Sequence, residues 1–143
     1  MSDIYVTIGA MTHSDDTTKV PLNYRPLVSK TMKGAVEAAL TGAEGFTTAA
    51  PKNGEGYEIS LTLNEIITGF TVQDRPGVKC NLNGTIFSVP AKLLITKSLT
   101  GTGTAGGAGT RITESDVEYC LTEAVKKTMA KSVLPTLKGL KKP

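Results

Sequence analysis

The glycine-rich stretch 101–106, Gly-Thr-Gly-Thr-Ala-Gly, has the G-x-G-x-x-G spacing of loops that bind dinucleotides. In such loops the glycines let backbone amides approach a pyrophosphate, a helix begins at once, and a second parallel strand follows that helix. Here a further segment, 107–112, precedes the predicted helix, and no strand is predicted after Leu137. The stretch therefore does not predict a dinucleotide site. No Gly-Lys-Ser/Thr occurs either, which argues against a Walker A phosphate loop.

The other side chains with chemical potential are few and scattered. His13, Asp15 and Asp16 fall in one polar stretch and could bind a metal or transfer protons, but such residues in a loop are usually only solvated. Cys80 and Cys120, far apart and with a single histidine in the chain, match no zinc pattern. Both cysteines are predicted to be buried, and a disulfide between them is the alternative. We therefore predict no catalytic residue, no metal ligand and no cofactor, and we expect the protein not to be an enzyme.

The charge of the chain is unevenly distributed. The formal net charge is +3, yet the last twenty residues hold six lysines and no acid. Such a cluster is usually a solvated helix end, but it also provides a candidate contact surface for an anionic partner, either nucleic acid or an acidic surface. No arginine or aromatic side chain interleaves these lysines, as nucleic-acid grooves usually require. The candidate contacts are Lys126, Lys127, Lys131, Lys138, Lys141 and Lys142.

Length and composition predict one domain over residues 1–143. Of these residues 39% are hydrophobic and 20% are charged, as in ordinary globular proteins, and no apolar run is long enough to insert into a membrane. Within the domain we expect a mobile N-terminal loop over 12–25, a Gly/Thr-rich loop over 101–112 and a basic tail over 138–143. No signal peptide is visible at the N-terminus, so the default location is cytoplasmic, with a mature exported form as the alternative.

Two helices are predicted from apolar residues that recur every three or four positions. The first extends from Pro26 to Leu40. The second extends from Glu114 to Leu137 and begins with a capping box, in which Thr113 and Asp116 bond each other's backbone amides. Because Pro135 lacks an amide proton, it should end or kink this helix near Leu134.

Strands are predicted where apolar and polar residues alternate. A first strand covers 4–8, and the clearest strand begins at Tyr57 and extends towards Val72. Between them, residues 46–50 are either a short strand or a loop. Asp74-Arg75-Pro76-Gly77 predicts a tight turn, after which a strand from Val78 should contain a bulge at Asn83-Gly84. A last strand covers 92–100, with Leu93, Ile95 and Leu99 on one face.

This order, β-α-β-β-β-α, predicts an α+β fold: a two-layer sandwich whose mainly antiparallel sheet of about four strands carries both helices on one face. The opposite face should be polar and weakly charged. Such faces and strand edges are suitable for pairing with another chain, although a simply solvated sheet is the alternative. The candidate assembly residues are Ser60, Thr62, Asn64, Lys79, Asn81, Thr96 and Ser98.

The sequence thus favours a non-enzymatic structural or interaction protein, which self-associates as a homo-oligomer or docks into a larger protein assembly through its polar sheet face, strand edges and flexible loops. The alternative is a small binding module that uses the lysine-rich end of its C-terminal helix for an anionic partner.

Overall fold

The computed structural model describes residues 3–107 and 109–140, except the side chains of Lys97 and Ser98. Its five strands are β1 (Ile4–His13), β2 (Phe46–Thr47), β3 (Gly56–Val72), β4 (Arg75–Val89) and β5 (Leu93–Gly106). Its α-helices are α1 (Arg25–Thr41), α2 (Glu114–Thr128) and α3 (Leu134–Leu140), with a 3-10 turn at Leu22–Tyr24 and a π-helical segment at Met129–Val133. The element types and their order agree with the α+β prediction.

The strands form one mixed sheet in the order β2-β1-β3-β4-β5. Strand β1 runs parallel to both of its neighbours, whereas β3, β4 and β5 form an antiparallel meander. The predicted sheet of about four mainly antiparallel strands therefore lacked one strand and the parallel pairing of β1. Helix α1 connects β1 to the following strands, and a helical crossover of this kind is what parallel neighbours require.

Helices α1 and α2 pack on the same face of the sheet, α1 against β1 and α2 against β4 and β5. Alternate residues of the long strands point into this layer, so that Ile59, Leu61 and Leu63 of β3 are fully buried. The same alternation continues without interruption along β4, where Cys80, Leu82 and Ile86 are core residues. One contiguous core therefore lies between the sheet and the helices, and the opposite face of the sheet is uncovered.

The predicted bulge at Asn83-Gly84 is wrong in one respect: β4 keeps its phase against β3 through both residues. Gly84 takes an inward position, and a Cβ atom built there would lie 2.9 Å from Leu61 and 3.3 Å from Leu99. Leu61 and Leu99 fill the space that a side chain at this position would occupy. The glycine therefore belongs to the inward-facing residues of β4, although its presence had suggested a bulge. The irregularity lies instead between β4 and β5, beyond Gly84.

The turn between β3 and β4 also differs from the prediction. Its corner is Gln73-Asp74, whose φ values of 51° and 65° are both positive, as a two-residue hairpin loop with the handedness of the sheet twist requires. Pro76 and Gly77 belong to β4. The Phe70 ring covers Gly77 so closely that a Cβ atom there would lie 2.5 Å from it.

The C-terminal helix begins with the predicted capping box. The Thr113 amide donates to the Asp116 carboxylate over 2.9 Å, and the Asp116 amide donates to the Thr113 hydroxyl over 3.3 Å. Pro135 does not end the helix but accompanies a π-helical segment, in which the amide of Leu134 donates to the carbonyl of Met129. Proline has no amide proton to donate to a carbonyl of the preceding turn. The wider π-helical turn accommodates this missing hydrogen bond, and the helix continues.

Two predicted loops are largely structured. In the segment 12–25, Thr12 and His13 belong to β1, Val20 is fully buried, and the Ile66 amide donates to the carbonyl of Lys19 over 2.8 Å. Residues 101–106 of the predicted Gly/Thr-rich loop are the second half of β5. Glycine-rich composition was the reason for that error, because it indicates flexibility unless something packs against the strand.

Candidate interaction surface

The face of the sheet opposite the helices is polar, and we call it the polar face. None of its members is buried. They follow one another across the strands because directly paired residues point to the same side: Thr62 lies between Thr12 and Asn83, and Asn81 lies between Glu65 and Thr102. The members are Thr12, Ser60, Thr62, Glu65, Lys79, Asn81, Asn83, Thr85, Thr100, Thr102 and Thr104.

Hydrogen bonds between side chains connect neighbouring strands on the polar face. The hydroxyls of Thr12 and Thr62 are 2.9 Å apart. Thr102 donates to Asn81 over 3.0 Å, and the amide of Asn81 in turn donates to Glu65 over 3.2 Å. These short side chains are thus held in place, and the surface they form is flat and weakly charged. Groups fixed in this way lose little further conformational entropy when a partner covers them.

The structure brings together four of the seven predicted assembly residues: Ser60, Thr62, Lys79 and Asn81 all belong to the polar face. Asn64 is exposed at an irregularity of β3, where it has no partner position on β4. Thr96 lies opposite Ile86, a core residue, and therefore points to the helix side. The side chain of Ser98 is outside the described residues.

The described lysines of the predicted anionic-partner site are exposed but do not form one cluster. Lys126 and Lys138 line a cavity of ≈ 600 Å³ between α1 and the π-helical segment, together with Ala39, Met129 and Leu134. Lys127 and Lys131 are exposed but do not line it. Lys126 also lies 3.5 Å from Glu123, and Lys138 lies 5.8 Å from the centroid of the Phe46 ring. Lys141 and Lys142 are outside the described residues.

The sequence predicted where β5 begins, but not that its first residues are exposed at one edge of the sheet. Leu93 and Ile95 were predicted to share the apolar face of the strand, yet Leu93, Leu94 and Ile95 are 63%, 53% and 38% exposed. The path of the C-terminal helix explains this: α2 packs on the second half of β5, near Gly103, and the chain then crosses the sheet until Lys138 reaches Phe46 of β2 at the other edge. The start of β5, Leu93–Ile95, is consequently left without a helical cover, whereas Leu99 packs against the core.

The close contact of α2 with β5 depends on two glycines. A Cβ atom at Gly101 would overlap the Thr128 hydroxyl, and one at Gly103 would lie 2.5 Å from the backbone nitrogen of Ala124. The stretch predicted as a flexible Gly/Thr-rich loop is thus, over residues 101–106, a strand that packs closely against α2. The motif lets a helix, rather than a pyrophosphate, approach the backbone.

Both cysteines are free thiols in the core beneath this contact. The Cys120 sulfur lies 3.2 Å from the carbonyl oxygen of Gly103 and 3.4 Å from that of Val78. The hydrogen bond with Cys120, together with burial, raises the pKa of the Cys80 thiol well above its ordinary value. A thiol in this environment is a packing residue rather than a nucleophile.

The N-terminal polar residues are not arranged as a metal site. Asp16 accepts hydrogen bonds from the hydroxyl and the amide of Thr18, at 2.6 and 2.9 Å, and these bonds lower the pKa of its carboxyl group. The Nδ1 atom of His13 lies 2.9 Å from the carbonyl oxygen of Ser14. Within residues 3–107 and 109–140, no three His, Cys, Asp or Glu side chains form a group that could hold a metal ion.

The fold and this surface define an α+β two-layer domain with one open, polar sheet face. No family model matches the chain, and no curated protein matches its sequence. No helix among the described residues has the length and apolar character needed to cross a bilayer.

Solved structures nevertheless share the fold at low sequence identity. The protein XCC0632 from Xanthomonas campestris, described by the family model DUF330, is 13% identical, with a TM-score of 0.60 over 96% of this chain and 86% of that one. A candidate lipoprotein from Caulobacter crescentus CB15 is 14% identical, with a TM-score of 0.53 over 96% and 93%. The PelC dodecamer from Paraburkholderia phytofirmans is 14% identical, with a TM-score of 0.51 over 90% and 87%. At these identities the similarity shows the fold alone.

Proposed function

We propose that this protein is a non-enzymatic structural or interaction protein that self-associates or docks into a larger assembly. The observation that carries the proposal is the open polar face, together with the exposed start of β5, Leu93–Ile95. A solvated sheet needs neither side-chain hydrogen bonds between its strands, as in Thr12–Thr62 and Thr102–Asn81–Glu65, nor aliphatic residues exposed on an edge. One protein of similar fold, PelC, is a dodecamer, which is consistent with assembly but, at this identity, does not establish it.

The polar face provides the specificity in this proposal. Its threonine and asparagine side chains can donate and accept hydrogen bonds, so a partner can be recognised without the cost of removing charges from water. Glu65 and Lys79 are the charged members of the set: Glu65 is paired with Asn81, and Lys79 lies two positions before Asn81 on β4. Glu58, on the same side of the sheet as Ser60, forms an ion pair with Lys92. An introduced pair of charges at the centre of this face should therefore oppose association strongly.

The test is the mass in solution of a variant with two lysines on β4, Asn83→Lys/Thr85→Lys. Among the described side chains, neither of these two has a hydrogen-bond partner, so the fold should be retained. At a concentration where the wild type associates, we expect the average mass by light scattering to fall towards that of the monomer, or the recovery of a partner by pull-down to fall at least several-fold. The control variant Ser29→Lys/Thr110→Lys adds the same charge at exposed positions elsewhere and should behave as the wild type. Equal effects of both variants would contradict a role of the polar face.

A second candidate is the binding of an anionic partner by the lysine-rich helix end. It is supported by the exposure of all four described lysines of the set. In this case retention on heparin should fall steeply with salt and be lost in Lys126→Gln/Lys127→Gln/Lys131→Gln. The matched variant Lys30→Gln/Lys33→Gln/Lys52→Gln removes three other exposed lysines. Equal retention of both triple variants would exclude the helix end as the contact surface.

A further inference from the structure

The first half of β5 presents three consecutive aliphatic residues to solvent. Leu94 lies opposite Phe87 on the side of the polar face, and Leu93 lies opposite Ser88 on the helix side. Because neighbouring residues of a strand point to opposite faces, a partner that packs on one face of the sheet buries only part of this cluster. A partner strand that extends the sheet beyond β5 covers both sides at once.

The edge is protected by little beyond an irregularity at Ile95, which has no partner position on β4. From Leu93 to Gly106 the strand contains no proline, no acid and one charged residue, Lys97. Natural edges are usually blocked by charges or proline, or are kept short. The opposite edge of this sheet is β2, which has two residues, whereas β5 has 14. The unpaired backbone groups of β5 therefore remain available as donors and acceptors.

The charges nearby indicate which partner fits this edge. Lys92, which precedes the strand, forms an ion pair with Glu58. The edge thus offers almost no unpaired charge to a charged segment, and the complementary surface is an uncharged, aliphatic strand edge. The chain itself supplies such an edge, and an apolar cluster is complementary to its own copy, as a two-fold interface requires.

On the basis of the proposed function, we propose that a second copy of this chain pairs with the first half of β5, antiparallel about a two-fold axis at Leu94. In a two-fold antiparallel pair, residues equally distant from the axis lie opposite each other. An axis at Leu94 places Leu94 opposite its own copy on the side of the polar face and each Leu93 opposite the partner's Ile95, so that every exposed aliphatic residue of the cluster gains an aliphatic neighbour. An axis at the middle of β5 would instead leave the two aliphatic clusters far apart.

This register is also compatible with the helices. The axis is perpendicular to the sheet, so both copies carry their helices on the same side. Because α2 covers the second half of β5, around Gly101 and Gly103, the helices of the two copies stay apart. The two sheets are then joined at Leu93–Ile95 of each copy, with their polar faces on the same side. Dimerisation through β5 would therefore double the surface offered to further partners.

Disulfide trapping of full-length protein tests this register. Under mild oxidation, Leu94→Cys should form a covalent dimer in high yield at concentrations where the wild type associates. The matched control Thr104→Cys changes an exposed residue of the same strand on the same face, at its far end, and should give no more dimer than the wild type. Both variants keep the native cysteines, which are buried.

A charge in the cluster provides the second measurement. Leu94→Asp should retain the circular dichroism spectrum of the wild type, because the residue is exposed, while its dissociation constant rises at least tenfold. Equal trapping of both cysteine variants would overturn the register. If the wild type associates but Leu94→Asp has no effect and Leu94→Cys is not trapped, the β5 pairing is wrong and the proposed function stands. A wild type that is monomeric at every concentration overturns the pairing, and recovery of a different protein partner would then preserve the proposed function.

Discussion

At the residue scale, Gly101 and Gly103 have a packing role that their local sequence does not reveal. Gly101 and Gly103 were predicted to belong to a flexible loop because glycine-rich composition has that meaning in isolation. In the fold they allow α2 to pack closely against β5, because a side chain at either position would overlap atoms of the helix. Nothing in the sequence near 101–106 indicates which helix will lie there, since that depends on residues 120–128. The burial of Cys80 and Cys120, by contrast, was predicted from their positions in periodic segments and is confirmed.

Substitution of Gly103 should measure this close approach. In Gly103→Ala the new methyl group meets backbone atoms of Cys120 and Ala124, which cannot move aside as a side chain can. We expect the free energy of unfolding to fall by about 1–3 kcal/mol. The control is Gly34→Ala, since no atom lies within 4 Å of the added carbon and alanine favours the helix by about 0.5–1 kcal/mol. Chemical denaturation compares the two; equal stability of Gly103→Ala and wild type would contradict the packing account.

The thiols provide a second prediction at this scale. Both cysteines are inaccessible, and the raised pKa of Cys80 keeps that thiol protonated at pH 8. A thiol reagent such as dithionitrobenzoate should therefore react with neither cysteine in the native protein at pH 8. After unfolding in guanidinium chloride, two thiols per chain should react. Rapid reaction in the native state would mean that α2 opens from the sheet far more often than its packing indicates.

At the element scale, periodicity and capping predicted the helices well. The first helix was expected over 26–40 and lies over Arg25–Thr41. The meander was also correctly ordered. The parallel placement of β1 was missed because apolar alternation does not carry strand direction, although the helix between β1 and β3 could have indicated it. The last strand was predicted to end at residue 100, whereas β5 extends to Gly106. Its glycines indicated a loop, because the sequence pattern does not show that α2 packs on their inward side.

The capping box at the start of α2 can be tested directly. Removal of the hydroxyl in Thr113→Ala leaves the amide of Asp116 without its partner and should destabilise the protein by about 1 kcal/mol. Ser115→Ala, two residues further on and exposed, should change stability by less than about 0.5 kcal/mol. Thermal or chemical unfolding checks both values. An unchanged midpoint for Thr113→Ala would show that α2 is held by its packing alone.

At the scale of the whole molecule, the two-layer architecture followed from the sequence, whereas the identity of its exposed surfaces followed only in part. Alternation in β3 and β4 predicted one polar side, and four of the seven proposed assembly residues lie on it. The exposed edge at Leu93, Leu94 and Ile95 could not be foreseen, because it depends on the diagonal path of the C-terminal helix across the sheet. Where the protein is located in the cell remains a prediction.

The central claim is that this domain associates with copies of itself or with other chains. Its mass in solution tests this claim most directly. Light scattering on the full-length chain, from micromolar to millimolar concentration, should give a mass that rises to a multiple of 15.0 kDa. If the protein instead docks into an assembly of other chains, a pull-down should recover a specific partner that is lost in Asn83→Lys/Thr85→Lys. A mass of 15.0 kDa at every concentration, with no partner recovered, would contradict the account.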